Sequence, residues 1–417
     1  MNLILLMAIS GWLSYSCKSP STEPGIDESI EKYRKGEIIV MANRDQQVAI
    51  EQMRHEFWFG CAIPNSLADS YMSDENKEKF KVEFLKHFNS GVTENALKWQ
   101  MMERNRGEVN YSVVDTILEW CEENDIALRG HNLFWGKRQY IQPWLMEMSD
   151  DELMQALEQR AESITSHYKG RFAEIDLTNE TLDENYYAER LGPGITKLMA
   201  QWALKGDPGV KLIMNEHDIL IPESPAGNRL ASSMALFRSV IDQGIPLAGI
   251  GIQGHSHFKT FDRQALKQGL DSLATLGLPI RITELNIPGR NYPPVSDRRF
   301  QLTPAEEDSV AKELTDYLSI CFAHPAVEGI ILWGFWEGAN WIPSSSLYRR
   351  DWTLTPSGEA YNNLVLKKWW TNKSGMTDRK GEYSTRAFYG KYRVTVDGTS
   401  KEVDLTKDKG TVTVDFR

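Results

Sequence analysis

Cysteine is scarce in this chain, with four in 417 residues, at positions 17, 61, 121 and 321. Cys61, Cys121 and Cys321 are far apart and lie in apolar segments, so buried thiols are expected rather than a disulfide framework. Positive charge is also short: 47 Lys and Arg stand against 58 Asp and Glu, for a formal net charge of -11. That balance argues against nucleic acid as a partner, whose phosphates would be repelled and whose binding usually needs a basic face. No glycine-rich phosphate loop follows a strand-like run, which removes the usual signature of a dinucleotide-binding sheet. Long apolar runs are missing too. The stretch from Leu3 to Ile9, continued through Trp12 and Leu13, is too short for a comfortable membrane helix and reads as a secretory h-region.

Cys17 directly follows that stretch and precedes the polar segment Ser19-Pro20-Ser21-Thr22-Glu23-Pro24-Gly25. The arrangement is similar to a bacterial lipoprotein signal with Cys17 as the lipidated residue. The n-region lacks Lys and Arg, and Ser14-Tyr15-Ser16 matches the usual small-residue box poorly, so plain secretion is the alternative. The expectation is an exported monomer, either a lipoprotein of the outer membrane, cell surface or periplasm, or a secreted protein. Its only membrane contact is a lipid on Cys17.

What is abundant is alternation. Strand-like runs cover residues 57–63, 91–93, 126–130, 173–177, 210–214, 247–252, 279–283 and 327–333. Between them lie amphipathic helical patterns, among them 151–168, 228–243, 263–276 and 304–322, with Thr303-Pro304 as a start signal and Gly277 as a stop. Eight strands, each followed by helical sequence, predict an α/β fold, a (β/α)8 barrel. Two pieces fall outside this rhythm. Residues 36–42 and 47–50 read as strands around an Asn43-Arg44-Asp45 turn, while 392–396 runs into the hairpin signal Asp397-Gly398 and 410–416 alternates apolar and polar residues. Neither piece can bury a core alone, so they are expected to pack together as one small β-domain. The expected organisation is a signal over 1–17, a linker over 18–30, an N-terminal β-segment over 31–55, the barrel over 56–371 and the C-terminal β-domain over 372–417.

In such barrels the chemistry lies at the carboxyl ends of the strands. Two glutamates close short apolar runs there: Glu180 in Ile175-Asp176-Leu177-Thr178-Asn179-Glu180, and Glu284 in Ile280-Arg281-Ile282-Thr283-Glu284. A lone glutamate near an element end is ordinarily a solvated loop residue. Two facing one cleft are the minimum apparatus for splitting a glycosidic bond. The other strand ends are also polar: Thr93-Glu94-Asn95-Ala96-Leu97-Lys98-Trp99, Arg129-Gly130-His131-Asn132-Leu133-Phe134-Trp135, Met214-Asn215-Glu216-His217, Gly251-Ile252-Gln253-Gly254-His255, and Leu332-Trp333-Gly334-Phe335-Trp336 continuing to Trp341. The pair His255-Ser256-His257 admits a rival account as a zinc site, which leaves both glutamates unexplained.

The ordered series of strand ends resembles the family 10 glycoside hydrolases, the endo-β-1,4-xylanase family, over roughly residues 50–370. The resemblance implies that Glu180 is the acid/base and Glu284 the nucleophile of a retaining, double-displacement enzyme cutting inside β-1,4-xylan, with no metal or organic cofactor. It implies sugar binding by Glu94, Asn95 and Lys98, and a cleft shaped by His131, Trp135, Asn179, Gln253, His255, Trp333 and Trp341. His255 is expected to hydrogen-bond Glu284 and keep it ionised. Three departures are visible. Gly136-Lys137-Arg138 stands where the commonest xylanases have a histidine after the tryptophan. Asp176-Leu177-Thr178 replaces the usual bacterial strand, and a Gly381-Glu382-Tyr383-Ser384-Thr385-Arg386-Ala387-Phe388-Tyr389-Gly390-Lys391-Tyr392 pattern follows the barrel. These are similar to the plant-type branch. They leave open another β-glycan, or a decorated or short xylo-oligosaccharide admitted by space that Gly136 would free. A non-catalytic glycan-binding lipoprotein is the alternative from another class.

Overall fold

The computed structural model describes residues 25–221, 229–256, 260–290 and 301–417. The expected signal and Cys17 lie outside the described residues, as do Asn228, at the start of one expected helix, and His257 of the histidine pair.

The short runs of branched aliphatic residues become parallel strands buried on both faces. They are β3 (Trp58–Ile63), β4 (Ser90–Thr93), β5 (Ala127–Gly130), the two-residue β6 (Phe134–Trp135), β7 (Glu174–Asn179), β8 (Leu212–Glu216), β9 (Leu247–Ile252), β10 (Ile280–Leu285) and β11 (Val327–Leu332); β1 and β2 precede them and are described below. Leaving β6 aside, each strand pairs in parallel with the next, β5 with β7 included, and β11 pairs with β3, so the sheet closes; β6 pairs only with β7. Eight strands thus form a (β/α)8 barrel, with β6 as a short continuation beyond β5. All six residues of β7 and all five of β8 are buried, the pattern expected where helices cover the outside and side chains fill the inside.

Local chemistry sets where the helices begin. Ser149 accepts from the Glu152 backbone and Glu152 returns the bond, fixing the start of the helix Asp150–His167. Thr303 and Glu306 do the same ahead of Pro304–Ala323, whose first residue is a proline that has no N–H to satisfy. Asp262 caps Arg263–Ala274. The remaining outer helices are Asp74–His87, Ser112–Glu123, Ile195–Gly206, Arg229–Asp242 and Pro356–Asn363.

The terminal strands build a second layer. β1 (Lys35–Met41) lies between β13 (Glu382–Phe388) and β16 (Thr411–Asp415). β2 (Gln47–His55) lies between β12 (Asn372–Met376) and β14 (Gly390–Val396), and β14 pairs on its other edge with β15 (Thr399–Leu405). The turn from β14 to β15 is Asp397-Gly398, both at positive φ (45° and 85°), the geometry that matches a right-twisted hairpin. Ile38, Val40, Val48 and Ile50 form one buried cluster with Tyr392, Val394, Val396, Leu405 and Val414, with Val412 and Phe416 packed on its margin.

One expected boundary is wrong. Residues 26–30, assigned to a linker, begin the helix Ile26–Arg34. Its last residue explains why it forms against the barrel. Arg34 is buried and donates to the carbonyls of Phe322 (2.5 Å), His324 (2.5 Å) and Val327 (2.7 Å), satisfying free carbonyls at and beyond the end of Pro304–Ala323.

Candidate active site

The carboxyl ends of the barrel strands surround one cleft. Lining it are Glu94, Asn95, Lys98, His131, Trp135, Asn179, Glu180, Gln253, His255, Glu284, Trp333 and Trp341, together with Lys137, Tyr140, His217 and Asp218. All twelve residues singled out in the sequence therefore share a single cavity.

Glu284 is the penultimate residue of β10 and is buried. Its Oε1 accepts from Nδ2 of Asn215 at 2.7 Å, and its Oε2 accepts from Nε2 of His255 at 3.1 Å. Nε2 of His131 lies 3.9 Å away. Burial alone would raise this carboxyl, but the His255 hydrogen bond and the charges of His131, His255 and Lys98 outweigh it and hold the pKa at about 2. The two histidines are themselves anchored. His255 meets Oδ1 of Asn286 at 3.0 Å, an oxygen that also accepts from the Trp341 indole, and His131 meets Oδ2 of Asp176 at 2.7 Å. Asp176 in turn pairs with the fully buried Arg129 inside the barrel. Both ring nitrogens of His255 thus face side-chain oxygens.

Glu180 follows the last residue of β7 and adopts φ +55°, a left-handed conformation that turns the chain sharply out of the strand. The turn is held from below. The Glu180 N–H donates to the Asn215 carbonyl at 2.9 Å, and the N–H groups of Thr181 and Leu182 donate to the buried Glu216 carboxylate at 2.6 and 3.4 Å. Gln253 donates to Glu180 Oε1 at 2.9 Å and to Asn179 Oδ1 at 3.3 Å, while Asn215 donates to Asn179 Oδ1 at 2.9 Å as well as to Glu284. One hydrogen-bond chain, Glu180–Gln253–Asn179–Asn215–Glu284, therefore connects the two carboxylates.

The other oxygen of Glu180 has cationic company. Nζ of Lys137 donates to Oε2 at 2.7 Å and lies 3.0 Å from Asp183, and the Trp135 indole donates to the same Oε2 at 3.3 Å. Burial raises the Glu180 carboxyl, yet the hydrogen bonds from Lys137 and Gln253 and the charges of Lys137 and His217 bring it below its ordinary value. A role as acid would lead one to expect the reverse. In the free protein both carboxyls thus lie below their ordinary values, Glu180 because loop geometry brings an ammonium onto it.

Residues 94–98 form a turn rather than a helix, so Glu94 and Lys98 are not a surface pair on one helical face. Lys98 donates to Asn95 at 2.9 Å and lies 4.7 Å over the Trp135 ring, which stacks on Tyr140 with centroids 3.9 Å apart. Trp333 and Trp341 meet His255 edge-on, whereas Trp336 stacks on Trp352 away from the cleft and belongs to the core. Gly136 does not open space. A Cβ there would come within 3.1 to 3.3 Å of Asn185 and the Tyr186 backbone, and its carbonyl accepts from the Tyr186 N–H. Sequence reasoning gave no site role to Asn215, Glu216 or Lys137. Asn215 and Glu216 stood in a quoted strand-end motif, and that position was their signal.

Known proteins resemble this chain in sequence and fold. The model of glycosyl hydrolase family 10 matches residues 50–364. Among curated relatives, the anti-sigma-I factor RsgI6 of Acetivibrio thermocellus is 33% identical over 369 residues, 87% of this chain and 45% of the relative. Endo-1,4-beta-xylanase 3 of Arabidopsis thaliana is 30% identical over 384 residues, 89% of this chain and 47% of the relative. The chain thus spans less than half the length of either. Among solved structures, xylanase 10B of Thermotoga petrophila in complex with xylobiose superimposes with a TM-score of 0.66 at 25% identity, covering 75% of this chain and 95% of that one. Native xylanase 10B of Thermotoga maritima gives 0.66 at 26% identity, covering 75% of this chain and 96% of that one.

Proposed function

The chain belongs to glycosyl hydrolase family 10, and we propose that it hydrolyses internal β-1,4-xylosidic bonds of xylan with retention of anomeric configuration. The observation that carries this reading is the hydrogen-bonded chain joining Glu180 to Glu284 across one aromatic-walled cleft. In the proposed reaction Glu284, held ionised, attacks the anomeric carbon, and Glu180 delivers a proton to the departing oxygen. A covalent glycosyl ester on Glu284 results. Esterification removes the Glu284 charge, which lowers the proton affinity of Glu180 and suits it to accept a proton from the incoming water. Asn179, oriented by Asn215 and Gln253, is placed to bond the sugar 2-hydroxyl, a contact that strengthens as positive charge develops on the ring. Glu94, Asn95, Lys98 and the tryptophans bind the sugars on either side.

A receptor that binds glycan without cutting it is the competing reading, favoured by the ionised state of Glu180 and by a relative named as an anti-sigma factor. Assay of the purified protein on a panel of β-linked polysaccharides and an activated aryl β-xylobioside separates the two. Short β-1,4-xylo-oligosaccharides are expected as products. Binding without turnover of either substrate class overturns the hydrolase reading. Export, with a lipid on Cys17, is part of the same proposal and is tested by labelling cells with a fatty-acid analogue.

A further inference from the structure

Lys137 has no place in the reaction just proposed, and its ion pair opposes it. An acid that must be protonated to act is held as a carboxylate by an ammonium 2.7 Å away. We propose that the cleft is shaped for a glycan bearing a carboxylate on its leaving-group side, and that Lys137 exchanges Glu180 for that carboxylate when substrate binds. This deepens the hydrolase reading and rests on it.

The side is fixed by which carboxyl group the cation adjoins. The leaving sugar departs past the acid, and Lys137 neighbours Glu180, whereas Glu284 is surrounded by Asn215, His131 and His255. The exchange is electrostatically feasible because the groups around Lys137 are already cross-paired. Asp183 is shared with Arg229 and with His217 at 2.6 Å, and His217 also faces Asp218 at 3.4 Å, so Lys137 can turn toward the cleft without stranding Asp183. Lys137 is partly exposed, its side chain 26% accessible, and a flexible four-carbon stem with three donors can hold Asp183 and a new partner together.

The chemical consequence follows from the sign of each change. Neutral sugar hydroxyls cannot compete with a carboxylate for an ammonium. A substrate carboxylate can, and its arrival both removes a cation from Glu180 and adds an anion beside it. Either change favours the neutral acid. Arg229, His217, the buried Glu216 below and Lys98 across the cleft also act electrostatically on Glu180. Glu180 then takes its proton from solvent and passes it to the glycosidic oxygen, so the acidic group on the substrate arms the catalyst that cuts beside it.

The test uses matched xylo-oligosaccharides in which the leaving-group sugar carries a uronic acid or the same residue with its carboxyl reduced to an alcohol. An activated aryl β-xylobioside, which needs little proton donation, serves as the reference. The wild type is expected to favour the acidic substrate in kcat/KM by about tenfold or more, since each unit of acid pKa changes the protonated fraction about tenfold. The basic limb of its pH profile should also lie higher than with the neutral partner. Lys137→Gln should erase the preference and raise the basic limb for the neutral substrate, and Lys137→Arg should keep the preference. Equal or inverted rates on the matched pair, with the aryl glycoside still cleaved, overturn the inference and leave the hydrolase reading intact. Failure to cleave the aryl glycoside as well overturns both.

Discussion

Lys137 and Glu180 are 43 residues apart in sequence and meet at 2.7 Å, with the ammonium also 3.0 Å from Asp183. The pair sets the pH dependence expected of the free protein. Glu180 is held below the ordinary carboxylate value, so its protonated, acid-competent form is lost as pH rises through that lowered pKa. For neutral xylan, kcat/KM should therefore fall on the basic side at lower pH than an unpaired glutamate allows. The acid limb cannot come from Glu284, which stays ionised down to about 2. An aryl glycoside with a good leaving group should lack the basic limb, and a limb shared by both substrates would assign it to another residue.

The two carboxylates should fail differently. Glu284→Ala removes the attacking group and should cut turnover of every substrate by about 10⁴-fold or more. Glu180→Ala should lose about 10²- to 10⁴-fold on xylan while still forming the glycosyl-enzyme from an activated aryl substrate. Single-turnover kinetics on both substrates separate these outcomes. Equal losses on xylan and aryl glycoside in Glu180→Ala would remove Glu180 from the acid role.

Glu216 carries the opposite shift from Glu284, and stability should register it. Burial pushes its carboxyl up to about 7 in spite of the N–H groups of Thr181 and Leu182. A carboxyl raised on folding is stabilising while protonated, fully so below its unfolded value of about 4.3, and that contribution is lost as pH rises through about 7. Glu284 is depressed, so its contribution is present above about 4.3 and disappears only as pH falls through about 2. Glu216→Gln should flatten the decline in melting temperature between about pH 4.5 and 7 relative to wild type. An unchanged slope would show that Glu216 does not titrate there.

The barrel was legible because its strands are short, continuous apolar runs separated by capped helices, and because its polar residues cluster where the runs end. Glu180 and Glu284 stood out for the same reason. β12 did not, since four of its five residues are exposed and its strand character comes only from pairing with β2. The helix Ile26–Arg34 was hidden in a polar segment, and what holds it, Arg34 on carbonyls nearly 300 residues away, has no local signature. Lys137 illustrates a third limit. In sequence Gly136-Lys137 shows a missing histidine and suggests open space, but Asn185 and the Tyr186 backbone fill that space and the lysine turns toward Glu180.

The N-terminal segment should be indispensable to the C-terminal module. β1 is the middle strand of the three-stranded sheet, and β2 is an inner strand of the four-stranded one. Removing residues 18–52 takes Ile38, Val40, Val48 and Ile50 from the shared core, leaves β13, β16 and β12 without the strand that pairs them, and strips β14 of one of its two neighbours. Each buried aliphatic side chain contributes about 1.5–3 kcal/mol, so the loss of four is comparable to the whole stability of about 5–15 kcal/mol typical of a domain. The deletion also removes Arg34, leaving the carbonyls of Phe322, His324 and Val327 without their donor. Protease cutting after about residue 375 should therefore accelerate strongly in the deleted protein. Arg34→Ala provides a graded version, since losing this buried cation should cost about 2–4 kcal/mol at the end of Pro304–Ala323 while both sheets stay paired. Its melting temperature should drop without early cutting of the C-terminal strands. Cutting that is unchanged by the deletion would show the two terminal segments to be independent.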